Sequence, residues 1–380
     1  MIRDTAEAFL SEISPAKRVR ESMVLEKGYE EQAWQRICSE MGWSAMIIPD
    51  EYDGLGLGYV ELVATMEQMG RHLLCSPFYA SVCLATNLIL LAGTAKQKAD
   101  LLPRLASGST ATLAYAGSSQ EAGTRAIEAT WVKTPSEGYQ LNGGCRYVVD
   151  GHSAEHLIVA AREAGNASDA GIRLFLIAGD HDGLSRSPLP TMDQTRRLAE
   201  VKLDGVEVAE EAVLAGEGAS GESLQQTLDL AAIALAAEQL GGAQAALDKT
   251  VEYVKERKQF GRSIASYQAV KHKAADMMLK VEAARSGVYY AACIADEFIA
   301  GRPLGAELAV AASTARAYAS EACFFNTGCA IQLHGGVGFT DEYDIQLYFK
   351  RARASEMALG SPDWHRERIA KTLLDEEVQT

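Results

Sequence analysis

The sequence lacks any pair of cysteines at metal-binding spacing. Its seven cysteines (38, 75, 83, 145, 293, 323 and 329) are odd in number and scattered, with no CxxC. That argues against a disulfide framework or a thiolate metal site and favours free thiols in a reducing compartment. Long uninterrupted apolar runs are also missing. The two least charged stretches, YASVCLATNLILLAGTA and LDLAAIALAAEQLGGAQAAL, are broken by Asn, Thr, Gly or Glu and read as buried helices rather than membrane spans. The opening MIRDTAEAFLSEISP carries charges through its apolar positions, unlike a signal peptide, so a cytoplasmic location is expected. Basic charge is not clustered: 36 Lys and Arg are spread along a chain of net charge −15. This argues against nucleic acid or an anionic membrane as partner, while a small anionic ligand needs only a few placed cations. No internal repeat or low-complexity linker occurs.

What is present is an alanine-rich chain of 380 residues, 48% hydrophobic and 7% aromatic, long enough for two or three domains. Three regions differ in period. Residues 1–108 repeat apolar positions at three and four, as in EEQAWQRICSEM and YVELVATMEQMGRHL, broken at the glycine-rich EYDGLGLG. Pro103 is expected to open or kink a helical turn. Residues 109–221 change to a period of two, with turns PSEG, NGG and HDG between short β-branched runs, which predicts a small antiparallel β domain. Residues 222–380 return to the helical period, with segments 222–258, 268–300, 304–330 and 342–357 and a shorter helix capped by Ser361-Pro362. The expected architecture is α+β: a helical N-terminal domain, a middle β domain and a helical C-terminal domain.

Two stretches invite chemistry. In QLHGGVGFTDEYD, adjacent glycines allow either a bare corner between helices or a close backbone approach to a phosphate. In VKERKQFGRSIASYQAVKHKAADM, a helix ends in Lys255, Arg257, Lys258 and Arg262. Cations there suit the helix dipole alone, and guanidinium groups beside Gly261 also suit a diphosphate. Spacing leaves both readings open.

RKQFGRSIASYQAVKHKAADM resembles the RxQFGxPIxxFQ…ADM segment of the acyl-CoA dehydrogenase family. IQLHGGVGFTDEYDIQLYFKRAR is similar to its QxxGGxGFTxEYxxxxxxRxAR segment, and YQLNGGCRYVVDGHSAEHLIVAAR to its GYxLNGxKxWITNxxxADxxxVxA stretch. The resemblance spans nearly the whole chain. It implies helical, β and four-helix-bundle domains in that order, bound FAD, and oxidation of the Cα–Cβ bond of an acyl-CoA by a carboxylate base with hydride passing to flavin N5. It further implies electron-transfer flavoprotein as acceptor and a homo- or heterotetramer in which each flavin is shared between two chains. Carried over, Arg257, Phe260 and Gln268 meet the diphosphate or adenine side of a flavin, and Gln332, Gly335 and Gly336 let backbone N–H groups approach its diphosphate.

The departures are specific. The family's TEPxAGSD-like loop, which faces flavin and thioester, reads AYAGSSQEAGTRA here, with only Glu121 to Thr124 alike. The WIT segment reads Tyr147-Val148-Val149, and valine donates no hydrogen bond. The usual base, a glutamate, is replaced by Leu359, and the alternative base position falls at about Ala231. Glu238, two turns further along the same helix face, is the remaining acid there, read either as a displaced base or as a buried or interfacial carboxylate paired with an arginine or a helix end. Glu356 reads as a solvated helix residue, and His334 as an adenine neighbour or structural group. Asp341, Glu342 and Asp344 are expected to pair with Lys350, Arg351 or Arg353. Three readings follow: an FAD-dependent acyl-CoA dehydrogenase in its own right, a base-less companion that completes the flavin site of a catalytic partner chain, or a CoA-ester or flavin binding protein without catalysis. The second resembles the heteromeric dehydrogenases of bacterial steroid and bile-acid side-chain degradation.

Overall fold

The computed structural model describes residues 2–119, 121–216 and 220–377. The chain begins with helices α1 (Ile2–Ile13), α2 (Ala16–Ser22), α3 (Glu31–Ser39) and α4 (Tyr59–Arg71). A π-helical segment, Tyr79–Thr86, runs into α5 (Asn87–Ala92), and α6 (Ala95–Ala106) follows. The strands come next: β1 (Ala111–Ala114), β2 (Thr130–Lys133), β3 (Tyr139–Val149), β4 (His156–Glu163), β5 (Ile172–Ala178), β6 (Leu184–Pro188) and β7 (Leu198–Val208). The helical remainder is α7 (Ser220–Glu256), a two-stranded hairpin β8 (Lys258–Gln259) and β9 (Arg262–Ser263), α8 (Gln268–Ile299), α9 (Gly305–His334), α10 (Ile345–Glu356) and α11 (Pro362–Glu377).

Contacts group the chain into two compact units. The first holds Met1–Glu21, Tyr59–Leu74 and Ala232–Thr380, and the second Ser22–Gly58 and Cys75–Ala231. Within the first, α4 meets α7 at glycines. A Cβ on Gly70 would run into the Glu238 carbonyl, and one on Gly241 into that of Glu67. Glu67 is 1% exposed there, held by Arg285 and by the Tyr289 hydroxyl at 3.0 Å. Among the described residues α7 alone is long and apolar enough to cross a membrane, and 94% of its apolar window is buried.

The second unit is built on a seven-stranded sheet in the order β1-β4-β2-β3-β7-β6, with β5 against β4. The pairs β2–β3, β3–β7, β4–β5 and β6–β7 are antiparallel. Of the expected turns, PSEG joins β2 to β3, whereas NGG lies inside β3 where its register with β7 shifts, and HDG separates β5 from β6, which do not pair. Both β1 and β2 pair with β4 in parallel. Hairpin signals are local, and these two pairings join strands through long connections that leave no such signal. Trp131, Tyr139 and Phe175 fill the core edge to face, with centroids 5.4 and 5.3 Å apart.

Pro103 lies inside α6 rather than opening a turn, and the helix ends three residues later. Ser361 caps α11 as expected, its Oγ accepting from the Trp364 N–H at 3.2 Å. Asp344, expected to pair with Lys350, Arg351 or Arg353, pairs instead with Arg20 at 3.1 Å. Arg351 meets Glu238 on α7, and Arg353 pairs one helical turn along α10 with Glu356. Tertiary packing thus redirects Asp344 and Arg351, while Arg353 keeps a partner at helical spacing.

Candidate functional site

α7 ends at Glu256, and Ser263 closes it by donating its hydroxyl to the carbonyls of Val254 and Lys255, both at 2.8 Å. Between these residues β8 and β9 pair Lys258 with Ser263 and Gln259 with Arg262, leaving Phe260-Gly261 as a two-residue turn. Both turn residues have positive φ, +53° and +80°, which is the type I′ pattern that suits hairpin twist. Gly261 adopts it freely, but a phenylalanine does so against its own Cβ. Phe260 is also 92% exposed, so its ring is not packed into the core of this chain.

The glycine stretch lies at the same end of the first unit. Tyr253, one turn before Arg257, stacks on His334 with centroids 4.2 Å apart, and its hydroxyl donates to the His334 carbonyl at 3.2 Å. His334 is thereby structural: it is 5% exposed, its Nδ1 lies 2.7 Å from the Ala330 carbonyl, and burial lowers its pKa. The next residue, Gly335, has φ +64° and ψ −141°, a region essentially reserved for glycine. A Cβ added to Gly335 or Gly336 would meet nothing within 4 Å, so both present bare, open backbone. They end α9 and open a short 3-10 turn, Gly335–Phe339. The α9 dipole therefore presents its negative pole here, and an anion would have to be held by bare backbone and cations rather than by that helix. Gln332 lines an apolar groove of 450 Å³ with Ala269, Val270 and Lys273 from the first turns of α8, so the Gln268 end of α8 and the Gln332 end of α9 adjoin. The six residues Arg257, Phe260, Gln268, Gln332, Gly335 and Gly336 thus belong to neighbouring ends of α7, α8 and α9, and all six are exposed. This open surface of guanidinium, amide, aromatic ring and bare glycine backbone fits the adenosine diphosphate portion of FAD in donor type and access.

The base candidates lie elsewhere. Leu359 sits in the turn after α10 with φ +59°, followed by Gly360 at +107°. A Cβ on Gly360 would stand 2.6 Å from the Trp364 ring. Arg316, fully buried on α9, ties this turn down: it donates to Gln239 Oε1 at 2.9 Å, to the carbonyls of Ser355 and Glu356, and to that of Ala358 at 2.8 Å. A buried guanidinium thus satisfies the last carbonyls of α10 and offsets its negative pole. Behind it His365 is 1% exposed, its Nδ1 3.2 Å from Ser313 Oγ. Burial, with Arg316 and Arg368 nearby, pushes its pKa down to about 3.

Glu238 is 5% exposed and paired with Arg351. The space beside it, between Gly70, Cys323, Tyr348 and Arg351, amounts to 10 Å³, about room for one water and none for a thioester. The displaced-base reading has no substrate access here, and the arginine-paired reading matches the geometry. Glu356 is half-buried against Arg353 rather than freely solvated.

In the second unit, Tyr147 stands on β3 where the register with β7 shifts between Cys145 and Val148; its φ is +58° and it is 56% exposed. Sequence reasoning missed the strain at both Tyr147 and Phe260, because neither Tyr-Val nor Phe-Gly is a favoured turn pair. The loop between β1 and β2 was singled out by sequence, but what holds it was not. That loop is pinned by the Arg146 N–H on the Ala116 carbonyl and by Gly117 N–H on that of Ala126, both at 2.8 Å. Glu128 folds back over it, accepting the Ser119 N–H at 2.8 Å and the Ser118 hydroxyl at 3.3 Å.

Comparison with known proteins agrees with this layout. Residues 1–109 match the family model for the acyl-CoA dehydrogenase N-terminal domain, and residues 220–374 that for the C-terminal domain. The acyl-CoA dehydrogenase IpdE2 of Mycobacterium tuberculosis is 35% identical over 95% of this chain and 93% of its own length. The solved Tcur3481-Tcur3483 steroid ACAD superposes with a TM-score of 0.87 at 30% identity, covering 99% of this chain and 98% of that one. The ChsE4-ChsE5 complex from Mycobacterium tuberculosis gives 0.86 at 25% identity over 98% and 96%. With both terminal domains matched and a curated relative aligned almost end to end, the chain belongs to the acyl-CoA dehydrogenase family.

Proposed function

We propose that this chain is a subunit of an FAD-dependent acyl-CoA dehydrogenase and works as the companion of a catalytic chain. It holds the adenine and diphosphate side of a flavin whose reacting ring lies in its partner. The observation that carries this reading is the contrast between its two parts. Arg257, Phe260, Gln332, Gly335 and Gly336 form an open, outward-facing surface. Both base positions, by contrast, hold residues without a proton acceptor, Leu359 and Ala231, and Glu238 is locked to Arg351.

In this reading Arg257 offers a planar fork to diphosphate oxygens. Gly335 and Gly336 let those oxygens reach backbone N–H groups that a side chain would shield. Phe260 lies against the ring system of the adenine or the neighbouring chain. Bound FAD supplies the hydride acceptor for Cα–Cβ oxidation. The α-proton is removed by a carboxylate of the partner, because neither base position of this chain, Leu359 or Ala231, carries one. Two heteromeric relatives, the Tcur3481-Tcur3483 and ChsE4-ChsE5 assemblies, are of the kind this requires. A steroid-derived acyl-CoA is the corresponding substrate, and electron-transfer flavoprotein the acceptor.

The test is purification alone and together with a second acyl-CoA dehydrogenase chain that carries the glutamate base. Alone, the chain should lack flavin absorbance and acyl-CoA-dependent reduction of an artificial acceptor, and it should gain both on assembly. Stoichiometric flavin with turnover in the isolated chain would overturn the companion role and leave an autonomous dehydrogenase.

A further inference from the structure

Glu128 follows directly on the loop that leads from β1 towards β2, and it does not point away. Its Oε1 accepts the Ser119 N–H at 2.8 Å and its Oε2 the Ser118 hydroxyl at 3.3 Å. The carboxylate lies so close over Gly117 that a Cβ there would run into it. The backbone N–H groups of Ser118 and Ser119 hold its pKa below the usual carboxylate range, so it is anionic at neutral pH. The loop is otherwise well tied. Gly117 N–H bonds the Ala126 carbonyl at 2.8 Å, Arg162 donates to the Thr124 carbonyl at 2.9 Å, and Thr124 Oγ1 lies 2.9 Å from Asp169 Oδ2. A glycine-floored loop with backbone N–H and hydroxyl donors is a receptor for carbonyl or anionic oxygen, and this one holds an oxygen pair from its own chain.

We propose that Glu128 closes this chain's own ring-side half-site: its carboxylate takes the Ser118 and Ser119 donors that the carbonyl edge of a flavin ring would need, and sets a negative charge in its place. This rests on the proposed function together with the family resemblance, which implies that the loop carrying Ser118 and Ser119 is the one that faces the flavin ring. It adds a cause for the one-sided use of the chain. The half-site is not merely short of a base and of the hydroxyl that Val149 lacks; it is filled from within. Exposure of Glu128 makes the clasp displaceable in principle, and its charge makes displacement by another electron-rich oxygen unfavourable.

The experiment is FAD titration of the isolated full chain, followed by flavin fluorescence, for wild type, Glu128→Gln and Glu128→Ala. Glu128→Ala frees the donors and should bind FAD about tenfold more tightly, the scale of one charge-assisted hydrogen bond. Glu128→Gln keeps an acceptor without charge and should fall between. Equal affinities in all three, no measurable binding in any, or weaker binding in the variants (the result for a clasp that merely stiffens the loop) would each overturn the proposal. A separate arm reports on the proposed function itself. In the enzyme assembled with its partner, Arg257→Ala should lose flavin, and full flavin retention there would sink the companion reading whatever Glu128 does.

Discussion

Two residues show opposite ways of holding an awkward group. Glu238 is buried and matched: Arg351 neutralises it, and the cavity beside them is too small for substrate. Glu238→Gln strands the Arg351 charge and should cost about 3 kcal/mol in denaturant unfolding. The activity of the assembled enzyme per folded chain should stay unchanged, and a loss of turnover without a loss of stability would return Glu238 to the list of bases. Phe260 is exposed and unmatched. Phe260→Asn creates Asn-Gly, the favoured type I′ pair, and should raise the stability of the isolated chain by about 1 kcal/mol while the assembled enzyme retains less flavin. Stability gained with flavin retention intact would mean that the strain serves nothing. That Glu238 would meet an arginine was readable as a type of partner. Which arginine was not, since 113 residues separate the pair.

At the scale of elements, the helical periods located α7 to α10 to within a few residues, because each buries a regular apolar face. The β8–β9 hairpin, the parallel strand pairs and the Glu128 clasp were invisible: two rest on backbone geometry or distant pairing, and the third on one side chain turning back ten residues. The junction of α10 and α11 carries a pH dependence. His365 titrates near 3 when folded and near the ordinary imidazole value when unfolded, so the folded state holds it neutral. Its contribution is complete above about pH 6.5, where both states are neutral, and is lost as pH falls from there towards about 3, because only the unfolded state takes up the proton. Wild type should therefore lose up to about 1.4 kcal/mol per pH unit more than His365→Gln between about pH 6 and 4. Parallel stability curves for the two proteins would contradict this assignment.

For the whole molecule, α7 runs unbroken through the boundary between the two compact units at Ala231 and Ala232. Trp34, Trp43 and Trp131 lie in the second unit and Trp364 in the first, to which most long helices belong. A helix common to both should couple their unfolding, so in a Trp364→Phe variant tryptophan fluorescence and far-ultraviolet circular dichroism should give coincident denaturant transitions. Separated midpoints would show that α7 melts in two pieces.

The turn after α10 has a consequence of its own. Arg316 clamps three carbonyls, Gly360 makes way for Trp364, and Leu359 stands in the left-handed conformation, all around a position from which the acidic group is missing. In the proposed companion role scaffolding and reagent are thus separable: the chain holds the bracket that would aim an acid without carrying the acid itself. Chemistry at this position is one side chain away, whereas a chain without the bracket would have to rebuild a helix end, a buried cation and a reversed backbone before an acid there could do anything.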